Sequence, residues 1–506
     1  SNASGVSTCT MTSTKAEVKT LSIATPIVDA GGTVTFVPGV ATTGNSNITG
    51  TGPVTADGAA TSTITVTLMD ANNNPLIGTT PTFTATDTGT TNTYNACSSA
   101  NASGVSTCTM SSTKAEVKTL SIATPIVDAG GTVAFEAGVA TTGNSSITGT
   151  SSITANGVAT STVTITLIDA DNNPLVGTIP TFSATDTGTT NTYNACSSSN
   201  ASGVSTCTMT STKAEVKTLS IATPIVDAGG TVTFVAGAIA ASTSTITGSG
   251  PVTADGSATS SVTVTLLDAF SNPVSGTTPT FSATDTGTTN AYGACSSSNA
   301  SGVSTCSMTS TKAETKTLSI ATPVSKADGT VSFVADVATT GNSTITGTSP
   351  VTANGVATST VTITLIDANS NPLIGTTPTF SATDTGTTNG YGACSATNTS
   401  GVSTCTMTST KAEVKTLSIA TPIVDAGGTV TFEAGMATAG NSNITGTSSI
   451  TADGTATSTV TITLIDADSN PLVGTTPTFS ATDTGATNTY NACSATNASG
   501  VSTCTM

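Results

Sequence analysis

A pair of cysteines recurs along the chain with a fixed period. The first members of successive pairs are 99 residues apart, and each second member follows its first by 11 residues. A unit of 99 residues is close to the usual size of an independent domain, whereas solenoid repeats are roughly 20 to 50 residues long. The period therefore predicts a tandem array of similar domains. The pairs are Cys97 and Cys108, Cys196 and Cys207, Cys295 and Cys306, Cys394 and Cys405, and Cys493 and Cys504.

The repeats differ most in one polar segment, and we place the domain boundaries there. The segment reads VPGVATTGNSN at residues 37–47, VAGAIAASTST at 235–245 and EAGMATAGNSN at 433–443. Loops over a rigid scaffold tolerate sequence change better than strands do. The predicted units are the end of one repeat at 1–40, complete repeats at 41–139, 140–238, 239–337 and 338–436, and the beginning of another repeat at 437–506.

The composition favours strands and excludes several partners. The chain has no His, no Trp and no Arg, and its net charge is −17. Threonine and valine favour pleated, half-buried surfaces, while glycine, asparagine and proline mark turns. An acidic chain without Arg lacks the cationic surface that phosphate binding requires, and no apolar run reaches the length of a membrane span. We therefore expect an all-β protein, no nucleic-acid partner and no direct membrane insertion.

Alternating side chains predict amphipathic strands within each repeat. Ile64, Val66 and Leu68 alternate with threonines, so that one face of this strand is apolar and the other is hydroxylated. Cys108 and Met110 share a parity on another strand, and both should face inward. About seven or eight short strands fit into one repeat without any helical period, which favours a sandwich of two sheets.

The regular spacing of the cysteines predicts one disulfide per repeat. Zinc is the alternative, but each repeat offers only two sulfur ligands and no His. Disulfides indicate an oxidising compartment outside the cytoplasm. Closing a loop of this length should contribute about 3 kcal/mol on the chain-entropy model. Cys9 is unpaired within this sequence, because its partner would precede Ser1.

Both ends of the sequence fall inside a repeat, and we expect an interior piece of a longer chain. Residues 2–11 reappear as residues 497–506, and no signal peptide is visible although a secreted protein needs one. One alternative stays open. Residues 12–40 of one chain have the strands that residues 437–506 of another lack, so the sequence also permits chains to complete each other head to tail.

Four recurring motifs extend through the chain. They are VTADG or VTANG, STVTITLIDADNNPLVGT, NASGVSTCTMTSTKAEVKTLSIAT and GGTVTFVAG. Together they resemble the bacterial immunoglobulin-like domains of group 1, which are the tandem modules of invasin- and intimin-type surface adhesins. The resemblance implies Ig-like β-sandwich domains outside the cell, either on a bacterial surface or secreted. It also implies a non-enzymatic stalk or filament, with multivalent adhesive binding by the repeats as the alternative.

No combination of residues suggests catalysis or a cofactor. Acid–base and nucleophilic catalysis need an oriented titratable group, and the chain has neither His nor a cysteine outside the pattern of pairs except Cys9. The segment Asp169-Ala-Asp171-Asn-Asn173 matches the start of a calcium loop, but Pro174 occupies the position where that loop needs Gly. We interpret this segment, and its equivalent Asp466–Asn470, as a turn without a metal.

Two more groups in each repeat receive structural interpretations. The segment from Lys114 to Lys118 is interpreted as a solvated turn, and one tyrosine per repeat is interpreted as a core residue. The long threonine-rich strands lack the lysines that often guard sheets against association. We therefore expect self-association in a fibre or contacts between neighbouring repeats, with the adhesion ligand unknown. The tyrosines are Tyr94, Tyr193, Tyr292, Tyr391 and Tyr490.

Overall fold

The computed structural model describes the backbone of residues 1–506 and every side chain except those of Ala30, Ala129 and Ala426. Strands are the regular elements of the described backbone, which contains no helix, and the prediction of an all-β protein is confirmed. The chain forms two compact units. The first comprises residues 1–238 and 268–272, and the second comprises residues 239–267 and 273–506.

The first unit begins with a hairpin and continues into a complete repeat. Strands β1 (Val18–Ile23) and β2 (Asp29–Thr35) pair antiparallel. Eight strands follow in the repeat at residues 41–139, as many as the sequence predicts. They are β3 (Asn47–Gly50), β4 (Val54–Thr55), β5 (Ser62–Thr67), β6 (Thr82–Ala85), β7 (Asn92–Asn95), β8 (Val105–Ser112), β9 (Val117–Thr124) and β10 (Asp128–Glu136).

These eight strands form two four-stranded sheets. The first sheet has the order β3-β5-β8-β7 and is antiparallel throughout. The second has the order β4-β10-β9-β6, in which the short strand β4 pairs parallel with β10 and the other neighbours are antiparallel. The segment from residue 47 to residue 56 thus contains two strands, one in each sheet. The predicted sandwich is confirmed.

Apolar residues from both sheets meet in a single core. Ile64 and Val66 of β5 are fully buried, and they share a cluster with Leu120 of β9 and Phe135 of β10. Each such side chain contributes about 1.5–3 kcal/mol by leaving water. Met110 is likewise buried, as the parity of β8 predicts. The threonines between these residues face outward, because side chains alternate along a strand.

The next repeat of the first unit has the same strand order and pairing pattern. Its sheets are β11-β13-β16-β15 and β12-β18-β17-β14. The strands are β11 (Ser146–Gly149), β12 (Ile153–Thr154), β13 (Ser161–Thr166), β14 (Thr181–Ala184), β15 (Asn191–Tyr193), β16 (Val204–Ser211), β17 (Val216–Thr223) and β18 (Asp227–Val235).

The second unit contains all the strands of two further repeats with this arrangement. The repeat at 239–337 has β19 (Thr245–Gly248), β20 (Val252–Thr253), β21 (Ser260–Thr265), β22 (Thr280–Ala283), β23 (Asn290–Tyr292), β24 (Val303–Ser310), β25 (Thr315–Thr322) and β26 (Lys326–Val334). The repeat at 338–436 has β27 (Thr344–Gly347), β28 (Val351–Thr352), β29 (Ser359–Thr364), β30 (Thr379–Ala382), β31 (Asn389–Tyr391), β32 (Val402–Ser409), β33 (Val414–Thr421) and β34 (Asp425–Glu433).

The second unit ends in a three-stranded antiparallel sheet. Its strands are β35 (Asn443–Gly446), β36 (Thr459–Thr463) and β37 (Val501–Thr505), in that order. Val460, Ile462 and Cys504 are buried in a small cluster. This segment has the first sheet of a repeat, apart from its last edge strand. None of the described residues in either unit forms a helix with the length and apolar character that crossing a membrane would take.

Each disulfide closes the loop that leads into the central strand of the first sheet. Cys97 precedes β8 and is joined to Cys108 within it, with the two Cα atoms 4.2 Å apart. The loop turns at Gly104, where φ is +71° and an added Cβ would lie 2.6 Å from the carbonyl oxygen of Leu68. Glycine is therefore required there. The five pairs share this arrangement, so the prediction of one disulfide per repeat is confirmed, while Cys9 is exposed and unpaired.

We expect removal of one disulfide to destabilise its own repeat. Replacing both Cys196 and Cys207 by alanine should lower the free energy of unfolding of that repeat by about 2–4 kcal/mol, because the unfolded chain regains the loop entropy. Limited proteolysis with mass mapping of the full chain measures this effect. Cleavage should begin in residues 140–238 of the variant, and the intact repeat at 41–139 is the internal control. Equal cleavage of both repeats would contradict the expectation.

Candidate functional site at the repeat junctions

The turn that follows the second strand of the first sheet is held by a buried carboxylate. In the repeat at 140–238, Asp169 Oδ1 accepts hydrogen bonds from the backbone N–H groups of Asp171 and Asn173, at 2.9 and 2.8 Å. Its Oδ2 accepts one from Asn173 Nδ2 at 3.0 Å. Asp and Asn favour turns because their side chains bond the backbone a few residues away. The residues that match the start of a calcium loop thus form a turn that is closed by hydrogen bonds among themselves.

The same turn binds the end of the preceding repeat. Asn173 Oδ1 accepts a hydrogen bond from the N–H of Ala115 at 2.9 Å, and its Nδ2 donates to the carbonyl of Thr113 at 2.9 Å. Asp169 Oδ2 also accepts from the N–H of Gly138 in the connecting segment, at 2.8 Å. Asn173 is fully buried, so its side-chain amide has no contact with solvent. One amide therefore joins two successive repeats at both of its polar atoms.

We call this arrangement the Asp–Asn clamp, and it recurs at other junctions within each unit. In the first unit Asn74 bonds Thr14 and Ala16 in the same way. In the second unit Asn371 bonds Thr311 and Ala313, and Asn470 bonds Thr410 and Ala412. The Asp partner is buried in each case. The Asp–Asn pairs are Asp70 and Asn74, Asp169 and Asn173, Asp367 and Asn371, and Asp466 and Asn470.

The hydrogen bonds of the clamp favour the ionised form of Asp70 and of Asp466. Burial raises the pKa of Asp70, but the side-chain and backbone N–H groups of Asn74, with those of Gly39 and Asn72, outweigh burial and lower the pKa to about 2. The pKa of Asp466 is lowered by the same balance of causes. An ionised carboxylate whose oxygens already accept protein N–H groups has little capacity left for a metal. Among the described residues, no cluster of three or more His, Cys, Asp or Glu side chains is placed to hold one.

A buried lysine corrects the interpretation of the segment from Lys114 to Lys118. Lys118 is fully buried, because it lies on β9 with the same parity as the core residues Leu120 and Ile122. Its ammonium group lies 2.5 Å from Glu116 Oε1 and 3.3 Å from Asp87 Oδ1. The segment is thus not a solvated turn throughout. A lysine on a strand faces the same side as the residues two positions away from it. Burial of its ammonium group requires an ion pair that compensates for the charge.

The carboxylate Asp87 is held in place by the loop that leads into β7. Its oxygens accept hydrogen bonds from the backbone and hydroxyl of Thr91 and from the N–H of Asn92. Burial raises the pKa of Asp87, but these bonds and the Lys118 ammonium outweigh it and lower the pKa to about 2. Thr90 in this loop has φ 59°, a conformation that β-branched residues rarely adopt. The loop therefore carries local strain beside the buried charge.

The lysine cluster repeats in all four complete repeats. The lysine–aspartate distances range from 3.1 to 3.6 Å and the lysine–glutamate distances from 2.5 to 2.6 Å, and each lysine is fully buried. The remaining clusters consist of Lys217, Asp186 and Glu215, of Lys316, Asp285 and Glu314, and of Lys415, Asp384 and Glu413.

The tyrosines are anchored at the rim of the core and remain partly exposed. Tyr94 packs edge to face on the buried Phe83, with ring centroids 5.3 Å apart. Its hydroxyl donates to the carbonyl of Ala85 at 3.3 Å and accepts from Asn92 Nδ2 at 3.0 Å. It nevertheless keeps 41% of its surface exposed. One side of the Tyr94 ring thus packs against Phe83, and the other side faces solvent.

An open groove lies beside the clamp. At the junction between the two repeats of the first unit it has a volume of about 530 Å³ and is lined by Phe135, Glu136, Pro174 and Val176, among others. Val176 is 63% exposed. A similar groove of about 470 Å³ lies at residues 313–399 in the second unit, with Phe333, Asp336 and Ile374 in its wall. Each groove therefore combines apolar walls with acidic side chains, namely Glu136 in the first groove and Glu314 and Asp336 in the second.

Comparison with models of known protein families identifies one family of modules. A family model described as "Invasin, domain 3" matches residues 42–138, 141–237, 240–336 and 339–435. No curated protein matches the chain.

Several solved structures show a partial similarity to the chain. The Escherichia coli adhesin FdeC is 21% identical, with 59% of this chain and 100% of that chain covered and a TM-score of 0.41. Yersinia pseudotuberculosis InvD is 22% identical, with 56% and 87% covered and a TM-score of 0.38. Invasin, a bacterial integrin-binding protein, is 19% identical, with 79% and 80% covered and a TM-score of 0.37.

We expect loss of the clamp amide to loosen one junction selectively. Replacing Asn173 by alanine leaves the N–H of Ala115 and the carbonyl of Thr113 without this partner, at a cost of about 1–3 kcal/mol. Hydrogen exchange of the full chain should show faster exchange at Ala115. Ala313, which donates to Asn371 at another junction, is the internal control and should keep its rate. An unchanged rate at Ala115 would show that the amide does not hold the junction.

The lysine clusters predict a loss of stability in acid. Because the pKa of Asp87 is lowered from 3.8 to about 2 by folding, its stabilising effect is complete above the ordinary value and disappears as the pH falls through about 2. Urea unfolding midpoints should therefore fall steeply between these values. Replacing Asp87, Asp186, Asp285 and Asp384 by asparagine should lower the midpoint at neutral pH and make the acid decrease shallower. A decrease as steep as in the native chain would contradict this account.

Proposed function

The chain belongs to the family of invasin domain 3, which matches most of its length, and we propose that it forms a non-enzymatic stalk or filament of an extracellular bacterial adhesin or fibre. Membership in this family also confirms the resemblance to invasin-type repeats that the four sequence motifs indicate. Stalk repeats must hold a fixed spacing between a cell and whatever the array carries. Such repeats need no catalytic group, and we propose none for this chain.

The observation that carries the proposal is the Asp–Asn clamp. A flexible linker would leave successive domains free to reorient. Here the amide of Asn173 bonds both Thr113 and Ala115 of the preceding repeat, and the carboxylate of Asp169 bonds the connecting segment at Gly138. Asp169 and Asn173 are buried, the groups that they bond are half-buried, and the same pattern recurs in both units. A junction built in this way favours a load-bearing spacer over a set of independent domains.

Other features support a location outside the cell. One disulfide per repeat suits an oxidising environment, on a bacterial surface or after secretion. The net charge of −17 and the absence of Arg disfavour nucleic acid as a partner. We propose that the domains follow the boundaries predicted from the sequence, with complete repeats beginning at residues 41, 140, 239 and 338. Each proposed repeat includes one of the segments that the family model matches.

A second candidate function is multivalent adhesion by the repeats themselves. The half-exposed tyrosines and the apolar grooves beside the junctions favour it, because weak sites repeated along a chain gain affinity through avidity. The ligand would be a host or neighbouring-cell molecule. No aromatic residue other than Tyr94 and its equivalents repeats at an exposed position among the described side chains.

Competition with soluble protein separates the two functions. Bacteria that display the repeats are allowed to adhere to host cells in the presence of excess soluble chain, residues 1–506. A stalk does not bind the host ligand, so adhesion should be unchanged. Adhesive repeats would occupy the ligand, and adhesion would fall in proportion to the soluble chain added. Soluble chain with Tyr94, Tyr193, Tyr292, Tyr391 and Tyr490 replaced by serine is the control for inhibition through the exposed rings.

A further inference from the structure

The first sheet of every complete repeat carries no charged residue. In the repeat at 41–139, its strands read NITG, STITVT, NTYN and VSTCTMSS. The second sheet carries the lysine cluster on β9 and the carboxylates Asp128 and Glu136 on β10. The other acidic residues lie in turns, at the clamp or beside the lysine. The acidic charge of the repeat is thus segregated away from one sheet.

The outer face of this first sheet is an ordered array of threonines. Cross-strand pairing places Thr65 between Thr49 and Thr107, and it places Thr63 opposite Thr109. Asn95 extends the second row by donating from Nδ2 to Thr109 Oγ1 at 2.9 Å. Thr49, Thr63 and Thr107 are exposed. We call this surface the threonine face. Each residue offers a methyl group and a hydroxyl group on a β-branched side chain that has few rotamers to lose.

We propose that the threonine face is the surface through which copies of this chain associate side by side, so that the occupant of the face is the threonine face of a second copy. This inference rests on the proposed stalk or filament and identifies its contact surface. Two copies that each carry a net charge of −17 repel each other over most of their surface. The threonine face is where they can approach without bringing like charges together.

The size of the face determines how many repeats must take part. Four strands about 4.8 Å apart, each with about five residues rising 3.3 Å, give a face of roughly 300 Å². Contact between two such faces buries roughly 600 Å², about half of the 1,200 Å² at which stable interfaces begin. One repeat should therefore not dimerise alone. Association should require at least two repeats and strengthen with repeat number, as avidity predicts.

Charge screening gives the proposal a second signature. The threonine contacts are uncharged, whereas the repulsion that opposes association comes from the surrounding carboxylates. Added salt screens that repulsion over a Debye length of about 10 Å at 0.1 M. Self-association should therefore increase with ionic strength. Association through ion pairs would decrease instead.

Sedimentation velocity of the full chain tests the proposal with a matched pair of variants. Cys9 is replaced by serine throughout, because its exposed thiol would form disulfide dimers of no relevance. One variant places glutamate on the threonine face, at Thr107, Thr206, Thr305 and Thr404. The control places the same number of glutamates on the outer face of the second sheet. Its positions are Thr119, Thr218, Thr317 and Thr416, all of which are exposed.

The native chain and the control should show a rise of about twofold or more in weight-average mass with increasing protein concentration at high salt. The variant with glutamates on the threonine face should stay monomeric, and equal melting temperatures show that both variants fold. A native chain that stays monomeric at high concentration and high salt overturns the proposal, and so does equal association of the two variants. Either failure leaves the stalk function intact, because the competition experiment with adhering bacteria decides that question separately.

Discussion

The buried contact between a carboxylate and an amide in one turn is the interaction on which the array depends. Asp169 accepts hydrogen bonds that hold the turn within its own repeat, and both polar atoms of the Asn173 side chain bond the preceding repeat. The turn and the docked neighbour are therefore held by two side chains that also bond each other, through Asn173 Nδ2 and Asp169 Oδ2. Because the contact is buried, breaking it leaves polar groups unpaired, which is far more costly than losing a contact in water.

The two sheets of each repeat differ in the charge that they carry. The second sheet and the loop beside it contain the lysine cluster, in which Lys118 brings a charge into the core and Asp87 and Glu116 balance it. Desolvation offsets much of the attraction within such a cluster, but removal of one partner leaves a buried charge without compensation. The first sheet carries the disulfide and the uncharged threonine face. This segregation lets an acidic protein keep one surface on which like charges do not meet.

The fold follows from the sequence more readily than the junction does. Alternation along Ile64, Val66 and Leu68 and the period of the cysteines are local or repeated patterns, and each corresponds to a feature of the structure. The pairing of Asn173 with Thr113 and Ala115 links residues about 60 apart, and no pattern within the turn reveals it. The burial of Lys118 was predictable in part. It shares the parity of the core residue Leu120, which indicates an inward side chain, but its charge suggested a solvated one. Its carboxylate Asp87 lies 31 residues away in another loop.

Distance distributions between spin labels on adjacent repeats test the clamp most directly. Labels are attached to cysteines that replace Thr107 and Thr206, equivalent exposed positions on β8 and β16, in a chain whose Cys9 is replaced by serine. If the Asp–Asn clamp fixes the junction, the native chain gives one narrow distribution, and replacement of Asn173 by alanine broadens it. A native distribution as broad as that of the variant would contradict the account.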